Sequence, residues 1–181
     1  MTTRAQDLRR LDVAAAAAAG AEYDGRWPVS ELARLADDAP AQVDEPVAWS
    51  ARFAQRREPA GAVQVWLQLQ AHARVARECQ RCLQPVLLTL DVNRAFRFAP
   101  TEDEAAALDA ESEDDVLVLS RQFNVQELVE DELLLALPLV PMHEQCPAPL
   151  VAARPEQAGE EVAPALHPFA ALAALKRGSG Q

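Results

Sequence analysis

Alternation of apolar and polar positions dominates the middle of the chain. Val47, Trp49, Ala51 and Phe53 alternate with Ala48, Ser50, Arg52 and Ala54, the period of a strand with one buried face. Glu58-Pro59-Ala60-Gly61 is a turn signal. Val63, Val65, Leu67 and Leu69 then alternate with Gln64, Trp66, Gln68 and Gln70, so the two runs predict a hairpin. The second run continues through His72, Arg74 and Arg77. Beyond Pro85 a further strand is predicted over 86–98, with Leu88, Leu90 and Val92 interleaved by Thr89, Asp91 and Asn93. The stretch RECQRCLQPV, residues 77–86, therefore sets Cys79 and Cys82 at the turn between two long strands.

Helical spacing flanks this β region. Asp12 to Ala19 predicts a short helix stopped at Gly20, followed by a short extended piece with a turn over 23–28. Ser30 is placed to cap a second helix carrying Leu32, Leu35 and Ala36 on one face. Residues 101–115, TEDEAAALDAESEDD, hold acids and no base, which predicts a solvated loop. Val116 to Leu119 predicts a short buried strand. Asn124 or a neighbour can cap a helix over 125–137 bearing Leu128, Val129, Leu133, Leu135 and Leu137, ended by Pro138 and Pro141. Glu127, Glu130, Asp131 and Glu132 crowd its front half, where solubility and the helix dipole account for acids.

From Pro147 to Pro164 the chain is rich in Pro, Ala and Glu and has little to bury. Then Pro168 opens a helical pattern with Phe169, Leu172 and Leu175 on one face, Lys176 and Arg177 in the last turn and Gly178 as a stop. The expected architecture is α+β. An antiparallel sheet of long strands with covering helices occupies 1–146. A disordered linker fills 147–164, and a short C-terminal docking helix fills 165–181.

Charge changes the picture of partners. The formal net charge is −11 over 181 residues, which weighs against a dedicated nucleic-acid binder. Basic protein partners are better Coulombic matches than bare RNA. One candidate RNA face remains, built from Arg52, Arg56, Arg74, Arg77, Arg94 and Arg97; alternation alone leaves open whether they point the same way. The N-terminal segment resembles a secretory signal, but Asp12 interrupts it and its apolar run is short and mostly Ala. No run approaches the ~18 apolar residues of a membrane span, and three cysteines fit poorly with a disulfide framework. The cytoplasm, where thiols stay reduced, is the expected compartment.

The C-x-x-C leaves three chemistries open. A tetrahedral zinc site needs four ligands, and His143 and Cys146, an H-x-x-C just past the Pro-bounded helix, can complete a Cys₃His set with Cys79 and Cys82. A reduced thiol pair at a packed turn is the second. Redox catalysis is the third, though a thioredoxin-like motif opens a helix and this one is followed by a strand. No Gly-rich phosphate loop, G-x-S-x-G or H-E-x-x-H is present.

Together RECQRCLQPV, LVEDELLLALPLVPMHEQC and PFAALAALKR resemble the YceD family of large ribosomal RNA subunit accumulation proteins of bacteria and plastids. EYDGRWPVSELARL is similar to the family's N-terminal region. The resemblance implies a non-enzymatic role in accumulating or processing precursor 23S rRNA, with large-subunit ribosomal proteins or assembly intermediates as partners and no membrane. It also implies a zinc knuckle joining the C-x-x-C to a later cysteine cluster; many relatives carry a fuller cluster there, and this chain keeps His143 and Cys146. The alternative is a zinc-dependent or thiol-based protein acting on another partner. Among family-like positions are Arg81, Glu130 and Asp131, and in the tail Phe169, Leu172 and Lys176. With Leu175, those tail residues form the expected partner-binding stripe.

Overall fold

The computed structural model describes residues 7–37, 45–57, 61–112 and 115–147. The expected linker and C-terminal helix lie outside the described residues. Five strands form one sheet in the order β1-β2-β3-β4-β5: β1 Glu22–Trp27, β2 Val47–Arg57, β3 Val63–Glu78, β4 Pro85–Ala99 and β5 Asp115–Val118. The first four pair antiparallel; β5 joins β4 in parallel. Helices α1 Val13–Ala18, α2 Ala33–Asp37, α3 Glu102–Glu111 and α4 Val125–Leu135 complete the described elements, with a 3₁₀ turn at Val29–Glu31.

Residue parity sorts the sheet into two faces. Trp49, Phe53, Leu67, Leu69, Leu90 and Phe96 project to one side and are buried. There they meet Val13 of α1, Leu35 of α2, and Val125, Val129 and Leu133 of α4. Each fully buried Leu or Phe contributes about 1.5–3 kcal/mol of transfer free energy before ordering costs. At the β1 edge the Trp27 and Trp49 rings stack at 4.3 Å. Gly25 pairs with Trp49, and a Cβ at Gly25 would come within 3.2 Å of that indole. The hydrogen of glycine is what lets the ring lie flat across the edge strand. Gly20, at φ +59°, stops α1 as expected.

Four expectations change. Residues 102–111 are a helix, not a loop. Thr101 accepts a bond from the Glu104 N–H, and Glu102, Asp103 and Glu104 sit in the first turn against the helix dipole. Thr101 thus caps the helix, its hydroxyl also donating to Glu104 Oε1 at 3.3 Å, and acids that repel along a coil are favourable at a helix start. This helix is also the crossover that a parallel β4–β5 pair requires, and β5 is accordingly half-buried rather than buried.

Ser30 does not cap α2. It falls inside the 3₁₀ turn, and α2 starts three residues later. The open N–H groups of Arg34 and Leu35 are met instead by the Oε1 of Glu130, at 2.8 and 3.2 Å. Glu130 is therefore a buried cap delivered from another helix, not a solubilising acid. Its second oxygen accepts from Arg34 Nε and Nη2, at 3.1 and 3.0 Å. From the sheet side, the buried Arg77 donates to the Leu35 carbonyl at 2.7 Å. Both ends of this five-residue helix are held by side chains from elsewhere, which suits a helix too short to persist alone.

Glu130→Ala is expected to lower the unfolding free energy by about 2–4 kcal/mol, since it strands the buried Leu35 N–H and the part-buried Arg34 N–H and removes the charged acceptor. Glu130→Gln keeps one oxygen and should lose roughly half as much. Urea denaturation of both variants measures this; a loss under about 0.5 kcal/mol, the scale of ordinary surface substitutions, would show that solvent replaces the cap.

Candidate functional site

The β3–β4 hairpin ends in a tight knuckle. Cys79 N–H donates to the Gln84 carbonyl and Leu83 N–H to the Cys79 carbonyl. Leu83 makes the turn in the left-handed region, at φ 58°. Proline-bounded chain leaving α4 passes the knuckle and is pinned there, the Gln80 N–H donating to the Pro141 carbonyl at 2.9 Å. That contact delivers His143 and Cys146 to the two hairpin cysteines.

The four expected donors converge. Cys79, Cys82, His143 and Cys146 offer ligand atoms that all lie within 4.8 Å of one another. Cys79 Sγ is 3.9 Å from Cys146 Sγ, and Cys82 Sγ is 3.4 Å from His143 Nδ1. A tetrahedral zinc with ordinary bond lengths requires S···S edges of about 3.8 Å and S···N edges of about 3.5 Å. The donor set and its spacing fit such an ion. The other imidazole nitrogen, Nε2, lies 3.1 Å from the Pro85 carbonyl. A proton on Nε2 satisfies that carbonyl and leaves Nδ1 as the free lone pair, the outer hydrogen bond that metal-binding histidines use.

Electrostatics split the two hairpin thiols. Burial opposes charge on Cys79, but the backbone N–H groups of His143, Arg81 and Cys82 outweigh it and bring the thiol down to about 5. Burial pushes the Cys82 thiol up, with the neighbouring sulfurs adding to it. Without a cation the cluster thus holds a proton that a metal would displace. Arg81, between the two cysteines, donates its Nε to Cys146 Sγ at 3.0 Å and Nη2 to the His143 carbonyl at 2.8 Å. One guanidinium both offsets thiolate charge and fixes the H-x-x-C backbone.

The arginines predicted as one face divide. Paired residues in a ladder share a side, so Arg52, Arg56, Arg74 and Arg97 lie on the open face with Gln68, Trp66 and Thr89. Arg77 and Arg94 take the helix side: Arg77 is buried, and Arg94 pairs with Asp115 and Glu132. Two contributions escaped the sequence reading. Glu130 as a cap left no trace in spacing, because the N–H groups that donate to it are 95 residues and more away. Arg56 stacking over Trp66, 4.4 Å from the ring centroid, was open to a reader who paired the strands, since the two sit diagonally across the hairpin. Phe169, Leu172, Leu175 and Lys176 lie outside the described residues.

Comparison with known proteins bears on this arrangement. A family model described as "Large ribosomal RNA subunit accumulation protein YceD" matches residues 67–176, a span that contains all four cluster residues. A curated protein of that name from Haemophilus influenzae is 39% identical over 105 residues, covering 55% of this chain and 59% of its own length. The chain thus spans about three-fifths of that relative. No solved structure matches.

The knuckle makes one backbone prediction. Leu83 bears a side chain in a conformation that costs a non-glycine residue about 1–2 kcal/mol, and that side chain is exposed. Leu83→Gly is expected to raise stability by up to about 1 kcal/mol after glycine's unfolded-state entropy is subtracted. Thermal denaturation reports it; a fall in Tm would mean that the leucine packs on the knuckle more than its exposure indicates.

Proposed function

The chain belongs to the YceD family of large ribosomal RNA subunit accumulation proteins, and from that premise we propose that it is a non-enzymatic, cytoplasmic factor supporting accumulation of 23S rRNA and assembly of the large ribosomal subunit. The observation that carries the reading is the coincidence of the family match with the built cluster at Cys79, Cys82, His143 and Cys146. No described helix is long and apolar enough to cross a membrane.

In this reading the cluster holds a structural zinc. Four protein ligands fill a tetrahedron and leave no open position for substrate water, which is the mark of a structural rather than a catalytic site. A thiol-based redox role is less favoured on geometry: Cys79, the thiol with the lowered pKa, is fully buried, while reactive cysteines are partly exposed. Three thiolates and a dication leave one net negative charge, and Arg81 lies against it. Large-subunit proteins or assembly intermediates are the proposed partners, with Phe169, Leu172, Leu175 and Lys176 as a contact stripe for a protein component.

Two experiments test this. Elemental analysis of purified protein should find about one zinc per chain, lost with the fold's full stability in Cys82→Ser; well-folded, metal-free protein would sink the metal assignment. Deletion of residues 165–181 in cells should leave the melting temperature unchanged and depress mature 23S rRNA. A large drop in melting temperature instead would place that segment in the core and remove its recruiting role.

A further inference from the structure

Among the described residues, helices α1, α2 and α4 pack on one face of the sheet. On the other, β2, β3 and β4 present an open surface whose Trp66 end has the chemistry of a single-strand platform. Trp66 sits between Ala54 on β2 and Arg97 on β4. The indole is half-buried. The Arg56 guanidinium lies over its ring, and Gln64 Oε1 accepts its Nε1–H at 3.1 Å. One step along, Gln68 donates to Asn93 Oδ1 and to the Arg94 carbonyl. Gln70, paired with Ser50 and Asn93, lines a shallow trough of about 460 Å³ that runs on toward His72. Arg52 projects beside it, paired with Glu22 at 2.8 Å, both groups well exposed.

From this arrangement we infer that the Trp66 half of the open face binds single-stranded RNA, with bases stacking on the Trp66–Arg56 pair and phosphates held by Arg52, Arg56 and Arg97. An aromatic ring stacks on any base, and guanidinium planes extend the platform and fork onto phosphate. Amide side chains such as Gln68 and Asn93 supply donors and acceptors for splayed base edges. Duplex RNA is the poorer fit, because its bases are not free to stack on a protein ring.

Among the described residues the charges are segregated, so the net charge of −11 is not spread evenly over this face. Glu102, Asp103, Glu104, Asp109 and Glu111 are carried by α3, and Glu127, Glu130, Asp131 and Glu132 by α4. On the β1 side of Trp66 the open-face acids of the described residues are Glu22, paired with Arg52, and Asp24, opposite Ser50; an exposed pair such as Arg52–Glu22 yields readily to phosphate. At the opposite end of the face His72–Asp91 and Arg74–Glu45 pair off. The positive field is therefore local to the stacking site, with the acids on the helix layer and its edge disfavouring RNA elsewhere.

This inference deepens the proposed function by naming the surface that meets rRNA, and it is tested apart from it. The full chain is titrated with a fluorescent oligouridine of about ten nucleotides and with duplex RNA of the same length, at several salt concentrations. The single strand should bind better. Trp66→Ala should weaken binding about 10-fold with an unchanged Tm. Arg56→Gln and Arg97→Gln should each reduce the slope of log affinity against log salt by about 0.7, one phosphate contact on a single strand. Arg121→Gln, in the β5–α4 connection, should change neither. Absence of oligouridine binding, binding that Trp66→Ala leaves intact, or a face that takes up a large-subunit protein and no oligouridine would each overturn it. Levels of 23S rRNA in cells are read separately, so the cellular role stands or falls on its own measurement.

Discussion

The ladder between β3 and β4 runs without a bulge from the Val65–Phe98 pair to the Glu78–Pro85 pair, and most of the molecule hangs on its register. Side chains alternate with a period of two, so a slip of one residue would expel Leu67, Leu69 and Phe96 from the core and bury Gln68 and Arg97. The same register decides two things beyond the core. It sets Trp66 beside Arg97 on the open face, and it carries the strands past the last pair into the Cys79–Cys82 knuckle. Core, platform and cluster are consequences of one alignment, held by apolar burial on a single face.

What the ladder does not hold is the helix layer, and there buried polar contacts take over. α2 is too short to persist on its own and is clamped between Glu130 of α4 and Arg77 of β3. Arg34 extends the clamp, reaching Asp131 as well as Glu130. Its guanidinium is half-exposed, so the ion pair itself counts for little; the buried caps on the Arg34 and Leu35 N–H groups matter more. The arrangement makes the acid-rich front of α4 a structural device, and it binds the N-terminal third of the chain to its C-terminal elements.

The knuckle does the same at longer range. Cys82 and His143 are 61 residues apart in sequence. A metal joining them would close a loop whose entropy, on the model used for cross-links of that span, is worth about 4 kcal/mol. A hairpin tip projecting from a sheet would otherwise be free to fray. Held there, it is as well placed as the core to keep β3 and β4 straight beneath the open face.

The antiparallel hairpins, their faces, the helix capped by Asn124 and the four cluster donors were legible from sequence, because each rests on local rules. Alternation reports burial residue by residue, a cap acts within three residues, and C-x-x-C with H-x-x-C names a ligand set whatever path the chain takes between them. The acidic segment departs from the loop reading because Thr101 caps its helix and the first-turn acids sit at the favourable end of the helix dipole. Tertiary structure alone decided the rest: that Glu130 caps a helix nearly a hundred residues away, that β5 returns parallel to β4, and that Arg77 and Arg94 turn inward while Arg52, Arg56 and Arg97 gather round Trp66. These depend on which strand lies beside which and in what register. That is a choice among distant pairings of similar local quality, settled by the burial of the whole apolar face together and by no single stretch of it.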